Sequence, residues 1–424
     1  MTLASRTVRR AAVATMAAFA VTLSACSSLT GGSGGQGAGD GELTLGLLAP
    51  LTGAAAADGK AMQNGAELAV DQLNAAGGVK GRKLTLRAID VKDQTSAAVS
   101  SAVTTLTADP NVVAAFTGYA STTNFEIDSF AQAGIPYVLG GNSAQTQEIV
   151  AKAPDRYPGI WSIAPSYDGY STNLPNQLEQ WNTDGTFPLR NRKAYLISSD
   201  NAYSNQIAGG LKTNLTAKGW QVTGPDTVPF GAVDDWTTQI NKIHALDPAL
   251  VLNLDYQTAN AAKFLTQFRQ NPTQSLVFEQ YAPSVPEFVT LAGAGADGVL
   301  FNLPIAPVTK TQVTQDMIAK YTQKYGSAPA NYAFIVYEAV RMWAQAADKV
   351  GDPAQKDKVG PAIGTLDDQG TTLGRIRFDP ATHLAVSGDD GVPFINYQIQ
   401  GGKRVAITPA NYAEGSFQKP AWIR

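Results

Sequence analysis

A Ser–His–Asp relay in this chain would have to use His244 or His383, the only two histidines among its 424 residues. Such a relay needs the imidazole held between a nucleophile and an acid. His244 falls inside a helical pattern over 237–245, and His383 follows the turn signal Asp379-Pro380, so both read as structural. Gly293-Ala294-Gly295-Ala296-Asp297-Gly298 has the G-x-G-x-x-G spacing of a dinucleotide loop. Those glycines would have to follow a strand and open a helix; here they lead into the apolar run 299–303, so a turn is expected. Gly31-Gly32-Ser33-Gly34-Gly35 matches the hydrolase nucleophile elbow but lacks the strand before it and the helix after it. Cys26 is the single cysteine. One thiol forms no intrachain disulfide and no cysteine-based metal site, and two distant histidines build no zinc cluster. No P-loop or H-E-x-x-H pattern occurs. The expectation is a protein without catalysis, cofactor or metal.

Cys26 has a different use. Arg6, Arg9 and Arg10 precede an uncharged apolar run over 11–23, followed by Ser24, Ala25 and Cys26. This is a secretory signal pattern, too short for a mature membrane span. Leu23-Ser24-Ala25-Cys26 resembles the lipobox of bacterial lipoproteins, which implies cleavage before Cys26 and a diacylglycerol on its sulfur. The following residues are mostly Ser and Gly, a flexible tether. The expected organisation is a signal peptide over 1–25 and a lipidated Cys with its linker over 26–42. The product would be exported and anchored to the outer face of the cytoplasmic membrane. Arg9-Arg10 leaves Sec and twin-arginine export both open. Removing the first 25 residues, which hold three arginines and no acid, takes the formal net charge from −3 to −6. A mildly acidic chain without a basic stripe is not a nucleic-acid binder.

The elements that follow alternate. Strand patterns at 43–49, 83–90, 112–116 and 136–139 are separated by helical patterns at 60–75, 95–106 and 122–133. A second series has strands at 194–198, 250–254, 275–278 and 298–302, with helices at 204–218, 236–245 and 258–270. Helices at 311–325 and 332–350 and strands at 374–378, 394–400 and 404–408 close the chain. Strand–helix alternation with short turns predicts parallel sheets covered on both faces. A chain of this length exceeds one hydrophobic core of about 250–300 residues, so two α/β halves are expected. Ligands of such sheets bind at strand C-termini.

The ordered series Gly46-Leu47-Leu48-Ala49-Pro50-Leu51-Thr52-Gly53, Asn64 to Ala69 and Asn74 to Leu84 resembles the start of the leucine/isoleucine/valine-binding proteins of ABC transporters. Ala133-Gly134-Ile135-Pro136, Asp200 to Tyr203, Asp234-Asp235-Trp236 and Gly374 to Pro380 continue it across about 43–400. The resemblance implies a class I periplasmic binding protein fold, with two Rossmann-like lobes joined by three hinge crossovers. Lobe one would be 43–163 and 303–376; lobe two, 164–302 and 377–424. It implies that Ser121, Thr122, Gly141, Asn142 and Ser143 meet a ligand carboxylate, at loops where helices start. Tyr203 and Tyr332 would be aromatics closing over the ligand. The family's acid for a ligand ammonium aligns with Tyr281 here, which departs from the pattern. Glu279, two residues earlier on the same strand face, or Asp58 could serve instead. That departure argues against a branched-chain solute and opens the site to amides, urea-like compounds and other amino acids.

The sequence is therefore read as a monomeric, lipid-anchored solute-binding protein of an ABC importer, with permease subunits and a small polar solute as partners. The alternatives are a ligand-sensing lipoprotein serving a receptor and a lipid-anchored hydrolase.

Overall fold

The computed structural model describes residues 42–141 and 143–424. The expected signal peptide, Cys26, nearly all of the expected linker and Asn142 lie outside the described residues.

The chain begins with the expected alternation: β1 (Leu43–Ala49), α1 (Ala56–Ala75), β2 (Leu84–Asp90), α2 (Ser96–Thr107), β3 (Val112–Thr117), α3 (Glu126–Gln132), β4 (Tyr137–Leu139), α4 (Ser143–Val150) and β5 (Ile160–Ser162). These strands form one parallel sheet in the order β2-β1-β3-β4-β5. Both faces are covered, which is why its central strands are apolar throughout. Leu45, Leu47 and Phe116 enter the larger core; Leu48, Val112 and Ala115 enter a second one under α2 and α3.

A second sheet follows. Its parallel part comprises β6 (Lys193–Ser199), β7 (Gln221–Val228), β8 (Leu250–Asn253), β9 (Leu276–Glu279) and β10 (Leu300–Leu303). The antiparallel pair β13 (Ile395–Gln400) and β14 (Lys403–Thr408) extends it, giving β14-β13-β10-β9-β8-β6-β7. Its helices are α5 (Asp168–Asp184), α6 (Ala202–Ala217), α7 (Thr237–Leu246), α8 (Thr258–Phe268) and α9 (Pro286–Ala292). The chain then returns through α10 (Gln312–Tyr325), α11 (Asn331–Val350) and α12 (Lys356–Ile363), and a hairpin of β11 (Asp367–Thr371) and β12 (Gly374–Arg377).

Helix α11 lies against α1 of the first lobe, so closely that a Cβ at Gly65 would stand 2.1 Å from the Ala333 carbonyl oxygen. The chain therefore passes between the two lobes three times: before α5, after β10 and before β13. The stretch 378–386, expected in the second lobe, runs along the first. Ser162 N–H donates to the His383 carbonyl and Ala385 N–H to the Ser162 carbonyl, at 2.9 and 2.8 Å. His383 is buried there, stacked on Trp161 at 4.0 Å, with Nδ1 3.0 Å from the Ile160 carbonyl. It is a packing residue. Gly293–Ala296 forms a 3₁₀ turn entering β10, so the glycine series is a turn as expected. Among the described residues, no helix is long and apolar enough to cross a membrane.

A tyrosine-lined cleft at the strand ends

Three tyrosines stand just beyond the C-terminal ends of parallel strands: Tyr119 after β3, Tyr256 after β8 and Tyr281 after β9. Tyr203 opens α6, Tyr332 opens α11, and Tyr167 and Tyr170 stand where the chain first leaves the first lobe. All seven line one cavity, together with Asp58, Gln94, Thr122, Asn201 and Asn331. Both lobes contribute. The rings form two continuous groups. Tyr119, Tyr332 and Tyr281 stand 4.9 and 5.8 Å apart in succession. Tyr170, Tyr167, Tyr203 and Tyr256 are linked by centroid distances of 5.2, 5.6 and 5.6 Å. A Cβ at Gly118 would come within 2.3 Å of the Tyr332 ring, so this glycine makes the seat of that ring.

Asp58, in the first turn of α1, sits at the junction of the lobes and is 6% exposed. Tyr119 O–H donates to its Oδ2 at 2.6 Å from the same lobe. Tyr281 O–H donates to its Oδ1 at 2.7 Å from the other. Burial pushes the carboxyl up from 3.8 to about 6; the two phenols favour the charged form and lessen the rise, and Glu287 adds to it. Tyr281 reaches Asp58 through a backbone of positive φ (61°, ψ −46°), closed by Ala282 N–H donating to the Gln280 carbonyl at 2.6 Å. This γ-turn is a costly conformation for a bulky residue, and such strain concentrates at ligand clamps.

The structure treats the expected site residues differently. Asp58, Thr122, Tyr203, Tyr281 and Tyr332 line the cavity. Ser121 does not: its hydroxyl donates to the buried Glu126 at 2.6 Å. Nor do Ser121 and Thr122 open a helix. α3 begins only at Glu126, after Asn124 adopts a left-handed backbone (φ 53°) and its amide binds Thr146 at 2.9 Å. Gly140 lines the cavity in place of Gly141. Ser143 is the first residue of α4, fully buried, with a hydroxyl that has no partner, and it does not line the cavity. Glu279 is also absent from the lining. Strand alternation fails as a guide there because β9 ends at Glu279 and Tyr281 is itself the centre of the γ-turn that follows. Glu279 is fully buried, burial and nearby Asp255 drive its carboxyl well up, and neither oxygen completes a hydrogen bond.

Tyr119, Tyr167, Tyr170 and Tyr256 were not foreseen. For Tyr119 and Tyr256 the signal was available: a tyrosine two or three residues past a strand end, where open α/β sheets bind ligands. Among the described residues, no group of three or more His, Cys, Asp or Glu could hold a metal.

Residues 42–415 match the model of a family described as periplasmic binding protein. A Leu/Ile/Val-binding protein homolog of Brucella abortus is 24% identical over 384 residues, covering 88% of this chain and 92% of its own. A crystal structure from Silicibacter pomeroyi, provisionally assigned to a branched-chain amino acid ABC transporter, superposes with a TM-score of 0.81 at 28% identity. It covers 90% of this chain and 100% of that one. The LivJ substrate-binding protein of Streptococcus pneumoniae, solved with isoleucine, gives 0.70 at 21% identity, over 87% of this chain and 100% of its own.

Proposed function

The chain belongs to the periplasmic binding protein family, and from that membership we propose that it is the solute-binding component of an ABC importer, lipid-anchored through Cys26 and working as a monomer. Its solute is an amino acid or a close small polar relative, held between two lobes that hinge at the three chain passages. Lobe one takes 43–163 and 303–386, the end of which runs along β5; lobe two takes 164–302 and 387–424. The protein captures and releases its solute without transforming it.

One observation carries this reading. The Asp58 carboxylate of one lobe accepts a hydrogen bond from Tyr281 of the other, inside a cavity that both lobes line. Opening the lobes would break that bond and expose the tyrosines, so a solute seated among them ties the lobes shut. Tyr203, bonded through its hydroxyl to Gln280 at 2.9 Å, and Tyr332 form walls of the same chamber. Thr122 is a hydroxyl partner on the first lobe.

A thermal-shift panel of amino acids, amides, amines and small carboxylates tests the reading, with small-angle scattering on any hit. A solute of one class should raise the unfolding temperature and shrink the radius of gyration. A panel without a hit, or a hit that leaves the radius unchanged, rejects capture by closure.

A further inference from the structure

We propose that the solute carries a net positive charge on an alkyl-substituted ammonium group, which sits against Asp58 inside the tyrosine cage. The proposal rests on the solute-binding reading of the same cleft and specifies its chemistry.

Three observations point the same way. First, among the described residues Asp58 is the only charged side chain lining this cavity; Lys92 and Asp93 line the adjoining part of the cleft beyond it. Second, this carboxylate is buried and hydrogen-bonded on both oxygens by phenols, yet no cation pairs with it among the described residues. Buried charges are ordinarily paired, because an isolated one is expensive to keep from water. A counter-ion brought by the solute would supply the pair. Third, the two phenols that hold the carboxylate adjoin the Tyr332 ring, with centroids 4.9 and 5.8 Å apart in succession. An alkylammonium sharing this aromatic chamber with Asp58 meets rings whose faces attract a cation within about 6 Å. Two of those phenols donate their protons to Asp58, which makes their rings more electron-rich and better partners for a cation.

The other charge classes fit less well. An anionic solute would be buried beside a like charge. Of the lobe-one hydroxyls expected to grip a carboxylate, that of Ser121 is already donating to Glu126 and that of Ser143 does not line the cavity, which leaves Thr122 alone. A neutral apolar solute would fill the cage and leave Asp58 without a countercharge. The methyl or methylene groups of a substituted ammonium suit the aromatic walls, whereas a bare ammonium ion would offer them no apolar surface.

Calorimetric titration of the purified protein with four probes of similar size decides the matter. Choline carries the cation. Tert-butylethanol is its uncharged carbon isostere, tert-butylacetate an anion of the same shape, and leucine a zwitterion. Choline is expected to bind at least about tenfold more tightly than each of the others. Asp58→Asn should weaken choline at least about tenfold and leave tert-butylethanol within about twofold; Tyr332→Leu should likewise weaken choline more than the alcohol. The ranking in the unaltered protein stands even if a variant fails to fold. Tighter binding of leucine, the alcohol or the carboxylate overturns the proposal but leaves solute capture intact. Failure of all four overturns it too, and the wider thermal-shift panel then decides separately whether the cleft binds any solute.

Discussion

Replacing Asp58 by Asn removes one charge and changes little else. Asn can accept from one phenol through its oxygen and donate to the other through its amide. Burial holds the Asp58 carboxyl at about 6 against an ordinary 3.8. That difference is worth about 3 kcal/mol. The native state binds more protons than the unfolded chain between those values, so this group's stability is present below pH 3.8 and lost as pH rises through 6. Tyr119 and Tyr281 on one side and the like charge of Glu287 on the other are the groups that face it. The variant should therefore match the parent near pH 3.5, diverge across the window, and be more stable by up to about 3 kcal/mol at pH 8. Urea unfolding of both proteins from pH 3.5 to 8, without added solute, measures the gap, because the other buried acids contribute equally to both. Superimposable profiles would mean that Asp58 is hydrated in the ligand-free protein, and the argument from its burial would fall.

Tyr281→Phe keeps the ring and the strained turn but removes the hydroxyl that spans the lobes. It should weaken binding of the solute found by the thermal-shift panel by about 1–3 kcal/mol in titration calorimetry, and NMR titration should find the Asp58 carboxyl higher than in the parent. Gly118→Ala drives a methyl into the Tyr332 ring and should cost about 1–3 kcal/mol in urea unfolding while also weakening solute binding. Cys26→Ser should abolish incorporation of labelled palmitate into the protein in growing cells; labelling that persists in the variant would reject the lipid anchor at this residue.

Periodicity carried far where an element was regular. β1 and β3, apolar along their length, and α11, with one continuous buried face, lie within a residue or two of their expected bounds. Periodicity failed where a local rule was broken. α5 contains Pro175, which reads as a helix breaker. β7 carries Gly224-Pro225 on a sheet edge, the one place a strand tolerates them.

By itself, the sequence determined the two α/β halves, the family and the export signal pattern, because side-chain period, turn residues and ordered motifs are local properties of the chain. It also named five residues that line the cleft. Only the tertiary structure decided which acid lines the cleft. Glu279 and Asp58 were equal candidates on paper, but the end of β9 and the turn at Tyr281 left one buried off the cavity and gave the other two phenol partners in it. Only the structure, too, assembled seven tyrosines separated by more than two hundred residues of chain into one cage. Strand order and hinge geometry choose such neighbours, and no spacing along the sequence encodes a distance across a cleft.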